Sequence, residues 1–307
     1  MKFGKLEHID SVDFSLSADP VANASLLASF PADDRSLEVY VGCTGWSMTE
    51  WVGRWYPKGT KTKDFLTEYA KQFNTIELNT THYRIPDPKL VAKWCAQVPT
   101  DFRFCPKLPQ TISHSKNLGL GGDQLPFLWE ALDSFGEKLG CCFMQLPPYY
   151  GLDRLGQLAQ FLSVWPKDFP LAVEFRHESW FATEEGIAEW TAILALHNCT
   201  AVITDVAGRR DVLHQHLTNR QTMIRFVGNG LHPTDYERIH AWCRQLVAWQ
   251  ELGLKTVYFF PHEPDNILAP ELAHYLVQYL HETTSITTRG PVPIAAGPQQ
   301  GDQILLF

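Results

Sequence analysis

Residues 171–205 read LAVEFRHESWFATEEGIAEWTAILALHNCTAVITD. Two short apolar runs, LAVEF near 172 and TAVITD near 201, bracket a longer segment in which Trp190 falls at helical spacing. A strand, a helix and a second strand in that order form the unit of a parallel sheet, because parallel neighbours need a crossover connection.

The same alternation runs outward in both directions. Upstream lie VYVGC near 40, TIELN near 76, FRFCPK near 103 and CCFMQL near 142, and downstream lie TMIRFV near 223 and TVYFF near 257. With the two quoted runs these make eight, the number a (β/α)8 barrel requires. The expectation is therefore an α/β, TIM-like (β/α)8 barrel, forming a single domain over residues 39–282. Residues 1–38, which lack sustained periodicity, are expected to be an extension packed on the barrel. Residues 283–307, rich in Thr, Gly, Pro and Gln, read as a flexible tail.

Several helices are legible between the strands. Phe65, Tyr69 and Phe73 recur four apart, and Leu125, Trp129, Leu132 and Phe135 share one face. Thr234 with Glu237 forms a capping-box pattern ahead of Ile239, Trp242, Leu246 and Trp249, and Gly253 supplies a left-handed stop. Tryptophans at such spacing are read as core between barrel and helices.

Composition narrows the function classes. A formal net charge of −8 in 307 residues argues against a broad nucleic-acid-coating surface, so any polyanion contact must be local. Seven cysteines without a C-x-x-C pair are neither a disulfide framework nor a thiolate zinc site. No apolar stretch is long enough to span a bilayer and the start lacks a signal peptide's apolar run, so the expected compartment is the cytoplasm, with no membrane partner.

In a barrel of this type the pocket forms where strands end, so polar residues there are functional candidates. Glu77 and Asn79 end the second strand, followed by Tyr83; Lys107 follows the third; and Gln145 ends the fourth. Glu174 and Arg176 follow on the fifth, Asp205 on the sixth, Arg225 on the seventh and His262 after the eighth. Strand alternation places Glu77 with Asn79, and Glu174 with Arg176, on one face. Glu77, Glu174 and Asp205 are the expected catalytic carboxylates. They could also hold a divalent metal with His262 or His177, although no ligand spacing such as H-x-H specifies one, and the cofactor stays open. Arg209, in the AGRRD loop, has the fork that carboxylates and phosphates accept.

The ordered motifs VGCTGW, WVGRWYP, FNTIELNTTHYR, FRFCPKLPQTISH, QLPP, AVEFRHESWF, ITDVAGRRD, RFVGN and VYFFPHEP closely resemble the YecE-like family, domain of unknown function DUF72, over residues 3 to 281. The resemblance implies a TIM-like barrel and a pocket holding Glu77, Asn79, Tyr83, Lys107, His114, Gln145, Glu174, Arg176, Asp205 and Arg225, but no reaction. The AGRRD loop and PHEPDN after the last strand depart from the common family pattern, as does the long N-terminal extension.

Two functions compete. One is a hydrolase or lyase acting on a small anionic substrate derived from a phosphate, sugar or nucleic acid, bound by Asn79, Tyr83, Lys107, His114, Gln145, Arg176, Arg209, Arg225 and His262. The other is a non-catalytic accessory protein in DNA maintenance. That reading rests on the terminal QILLF, where Gln303, Leu306 and Phe307 resemble a sliding-clamp-binding peptide.

Overall fold

A computed structural model describes residues 4–31 and 36–294. Eight strands lie among them: β1 (Glu38–Val41), β2 (Thr75–Leu78), β3 (Arg103–Pro106), β4 (Cys142–Gln145), β5 (Leu171–Glu174), β6 (Thr200–Asp205), β7 (Gln221–Val227) and β8 (Thr256–His262). Each coincides with one of the eight apolar runs. The helices that bear on the site are α1 (Val21–Ala28), α2 (Phe65–Gln72), α3 (Pro88–Cys95), α4 (Gln110–Ser113), α5 (Gln124–Asp133), α6 (Leu155–Val164), α7 (Glu184–Leu196), α8 (Pro233–Leu252) and α9 (Ala269–Thr283). None of the described helices is long and apolar enough to cross a membrane.

The strands pair in parallel throughout, as a six-stranded sheet ordered β1-β8-β7-β6-β5-β4 and a two-stranded sheet of β2 and β3. The two sheets touch at two seams. Glu77 N donates to Cys43 O at 3.0 Å beyond the end of β1, and Leu108 N donates to Phe143 O at 2.8 Å between the ends of β3 and β4. The seams carry isolated contacts rather than ladders. The fold is thus α/β with a mostly parallel sheet, strands in chain order and β8 beside β1.

The pleat divides each strand between two cores. Cys105, Cys141, Phe143, Ala172, Val202, Met223, Tyr258 and Phe260 pack together, with Tyr40, as one cluster drawn from the strands and from Cys141 just before β4. The alternate residues, such as Leu78, Ile203, Ile224, Phe226 and Phe259, pack with helix residues including Trp242, Leu246, Trp249 and Leu276. A second helix-side cluster gathers Met144, Val173 and Phe175 with Trp180 and Trp190. Cys141 and Cys142 fall on opposite faces, and both are buried free thiols.

The start of α8 differs from the expected capping box. Its N-cap is His232, which accepts from Thr234 N, while the Asp235 carboxylate accepts from His232 N at 2.9 Å. Pro233 explains the shift: it suits the first helical turn, so the cap falls on the residue before it. Gly253 ends the helix at φ 111°, as read from the sequence.

The described parts of the N-terminal extension and of the segment after α9 are held by specific bonds. In the extension, Asn23 Nδ2 donates to Gln215 O at 2.7 Å, Leu217 N donates to Asn23 Oδ1 at 2.8 Å, and Trp249 Nε1 donates to Asp19 Oδ1 at 2.9 Å. After α9 the chain is not free over 284–294, contrary to the expected flexible tail from 283. Ile286 is buried, Arg289 bonds Asp101 at 2.9 Å, Val292 N donates to Gln72 Oε1 at 2.8 Å, and Ile294 N donates to Arg54 O at 2.7 Å. Composition hides such anchors, because a few well-placed side chains can hold a segment that is otherwise Thr, Gly and Pro. Gln303, Leu306 and Phe307 lie outside the described residues.

Candidate ligand pocket

A cavity of about 790 Å³ opens at the C-terminal ends of the strands. Every strand end contributes a wall residue: Thr44, Asn79, Lys107, Gln145, Arg176, Val206, Val227 and His262. Residues 4–10 of the N-terminal extension form a strap along the mouth, bringing Lys5, Glu7, His8 and Asp10 to the lining. Gly208 N donates to Gly4 O at 2.9 Å and fastens the strap beside the β6 loop.

Below the cavity lies a buried charge network. The Arg225 guanidinium on β7 bonds both oxygens of Glu77 on β2 at 2.9 Å and reaches Glu174 on β5 at 2.7 Å. Arg176 Nε takes the other oxygen of Glu174 at 2.7 Å. Asn79 Nδ2 and His262 Nε2 complete the shell of Glu77 at 2.9 and 3.0 Å. Burial alone would push these carboxyl groups up, but the adjacent cations outweigh it. Arg225 and His262 hold Glu77 well below the usual range, and Arg176, Arg225 and Lys107 hold Glu174 at about 2. Both carboxylates are ionised, and every oxygen of the two accepts at least one bond from a neighbouring donor.

Lys107 stands differently. It is 6% exposed, and its Nζ donates to the neutral carbonyl of Gln145 at 2.9 Å. Burial, then the neighbouring charges of Arg225 and Arg176, bring it down to about 8 against the partial pull of Glu174 and Glu77. His82 is likewise brought down to about 4, first by burial, so this wall residue is a neutral imidazole near pH 7.

On the β8 side, Glu263 is buried in the wall and accepts from Gly230 N at 2.8 Å through Oε2. Its Oε1 has no hydrogen-bond partner among the described residues. Burial raises it to about 7. Gly228 makes room for it, since a Cβ there would stand 2.3 Å from Oε1.

Comparison with known proteins gives this arrangement its family. The family described as a protein of unknown function, DUF72, matches residues 40–296. The chain belongs to the DUF72 family. It is 34% identical to the UPF0759 protein YecE of Escherichia coli (strain K12), over 85% of this chain and 98% of that protein. It is 28% identical to the UPF0759 protein YunF of Bacillus subtilis (strain 168), over 47% of this chain and 52% of YunF. A solved DUF72 family protein from Enterococcus faecalis V583 superposes with a TM-score of 0.65 at 20% identity, covering 79% of this chain and 95% of that one. Another, from Thermotoga maritima MSB8, gives 0.62 at 24% identity, covering 80% and 98%. At these identities the solved structures show the shared fold.

In this DUF72 chain, Asn79, Lys107, Gln145, Arg176 and His262 line the cavity together, with Glu77, Glu174 and Arg225 beneath them. Tyr83 stands at the rim and is largely exposed. His114 sits behind the wall, its ring 5.5 Å from that of His82.

Two expected site residues are placed elsewhere. Asp205 does not join the pocket: β6 and β7 pair Thr204 with Arg225, and Asp205 with Phe226, so the Asp205 carboxylate faces the helices. There it binds Arg238 at 3.1 Å, Trp242 Nε1 at 2.8 Å, and Arg210. Arg209 folds onto Asp211 and the backbone carbonyl of Arg176, outside the cavity lining. Of the residues weighed as metal ligands only Glu77 and His262 meet, and the set as a whole does not converge. Glu77 and Glu174 are occupied by guanidinium groups, Asp205 faces away, and His177 caps a turn through Ser179. Among the described residues no cluster of three metal-ligating side chains forms.

The sequence places Glu263 among the polar residues that follow the eighth strand without giving it a role, and it does not single out the strap. Glu263 directly follows a strand end and so was within reach of the rule used for the others. The strap carried no signal, because residues 4–10 have no periodicity that says where they dock.

Proposed function

We propose that the eight strands act as one closed TIM-like barrel whose pocket binds a small ligand bearing an anionic group. In this reading the chain is an enzyme of the hydrolase or lyase class. The observation that carries it is the charge balance of the floor. Arg176, Arg225 and Lys107 are three cations and Glu77 and Glu174 two anions, all buried and mutually bonded or adjacent. Among the described groups of the floor the cations thus outnumber the anions by one, and a buried excess of positive charge favours an anionic ligand. Glu263, held near 7 on the same wall, is suited to give or take a proton near neutral pH. Glu77 and Glu174, each bonded to arginine through both oxygens, position the guanidinium groups in this scheme.

Thermal unfolding in inorganic phosphate, glyoxylate and sugar phosphates tests the reading. At least one anion should raise Tm in the native chain, and Arg176→Met should abolish that rise. No shift with any of these anions, or one that survives Arg176→Met, would refute it.

A further inference from the structure

Anion binding explains why the floor is positive, but not why one of its cations is a lysine without a counter-ion. Arginine would hold an anion more firmly and could not lose its proton. Both nearby carboxylates are taken by arginine, and among the described residues no carboxylate pairs with Lys107. Its one polar partner among the described residues is the amide carbonyl of Gln145, which orients Nζ without adding a negative charge. Below it lies the Phe143 ring, with Nζ 5.8 Å from the centroid. An amine so placed is held in a fixed direction, faces the cavity, and is poorly solvated.

We propose that Lys107 is a nucleophilic amine that condenses with a carbonyl group of the ligand, and that the substrate is a small anion carrying an aldehyde or ketone. The proposal rests on the anion-pocket reading above and adds the reaction class to it. The neutral Nζ would form a bond to the carbonyl carbon as the π pair moves to oxygen. Proton transfer from nitrogen to oxygen gives a carbinolamine. Loss of that oxygen as water, with one added proton, leaves a C=N iminium. Amine and carbonyl thus yield a Schiff base and water with no oxidant or reductant, and the iminium can accept electrons from an adjacent breaking bond, as a lyase requires.

The groups around Nζ agree with this use. Arg225 on β7 and Arg176 after β5 disfavour its charged form, Glu174 on β5 and Glu77 on β2 favour it, and His82 and His114 stand near it. The net result, about 8, leaves a usable neutral fraction at physiological pH.

The test uses the full-length native chain, glyoxylate as probe and borohydride to trap the imine, with adducts located by peptide mass spectrometry. Lys107 should be modified at least tenfold faster than exposed lysines such as Lys58 and Lys61 at pH 8. The rate should rise with a midpoint near 8, and Gln145→Glu should move that midpoint upward by placing a carboxylate against Nζ. The native chain's profile decides the matter even if the variant fails to fold. Labelling of Lys107 no faster than Lys58 overturns the amine proposal. If any of the anions tested above still raises Tm in an Arg176-dependent way, the anion pocket survives that failure; if none does, both readings fall.

Discussion

Arg225 holds Glu77 across the strand-lined interior by two hydrogen bonds of 2.9 Å, Nε to Oε2 and Nη2 to Oε1. The two residues are 148 positions apart, and their pairing joins β7 to the seam at which β2 meets β1. A planar fork against a carboxylate suits such a span, because both bonds form only in one orientation.

Arg225→Leu should therefore destabilise the fold by about 3–5 kcal/mol, since it strips Glu77 and Glu174 of a shared partner inside the protein. Urea denaturation at pH 7 measures it, and a loss under 1 kcal/mol would show that the network is dispensable. In the native chain both carboxyl groups are held below their unfolded values, so their stabilisation is present above about pH 4.5. It should fade as pH falls from there towards about 2, and the urea midpoint should drop over that window.

Glu263 has the opposite sign. Its folded value, about 7, lies above the unfolded one, so the native state keeps a proton that the unfolded chain has released. Between about pH 4.5 and 7 this group's contribution should decline as pH rises. Glu263→Gln should cancel that decline, stabilising the chain by roughly 1–2 kcal/mol at pH 8 while changing little at pH 4. Equal effects at both pH values would contradict a buried, proton-holding Glu263.

Asp205→Asn separates structure from chemistry. It removes the charge that Arg238 and Arg210 share and weakens the bond from Trp242, so a stability loss of about 3 kcal/mol is expected. The pocket floor keeps every group, so anion-induced Tm shifts should persist in the folded variant. Loss of those shifts with little change in stability would place Asp205 back among the pocket residues.

Gly208→Ala tests the strap. A Cβ at this position would lie 2.8–3.1 Å from the backbone of Gly4, whose carbonyl Gly208 N binds. The strap should be displaced, and hydrogen exchange over residues 4–10 should quicken severalfold while the amides of β6 and β7 stay protected. Unchanged exchange at residues 4–10 would mean that the strap is held elsewhere.

Several features were settled by the sequence alone. Alternation of eight apolar runs with helix-period segments identified the strands, because the periods of 2 and 3.6 are local properties of the chain. The strand-end rule likewise brought Glu77, Lys107, Gln145, Glu174, Arg176, Arg225 and His262 to one end of the fold. Local pattern could not tell which way Asp205 points. That depends on the register placing Thr204, not Asp205, beside Arg225, and a pleat one residue out of phase reverses a side chain. Nor could it show that Arg225 claims both carboxylates and leaves Lys107 to Gln145, or that residues 4–10 line the mouth. Those outcomes arise from contacts between residues tens to hundreds of positions apart, and only packing of the whole chain decides such contacts.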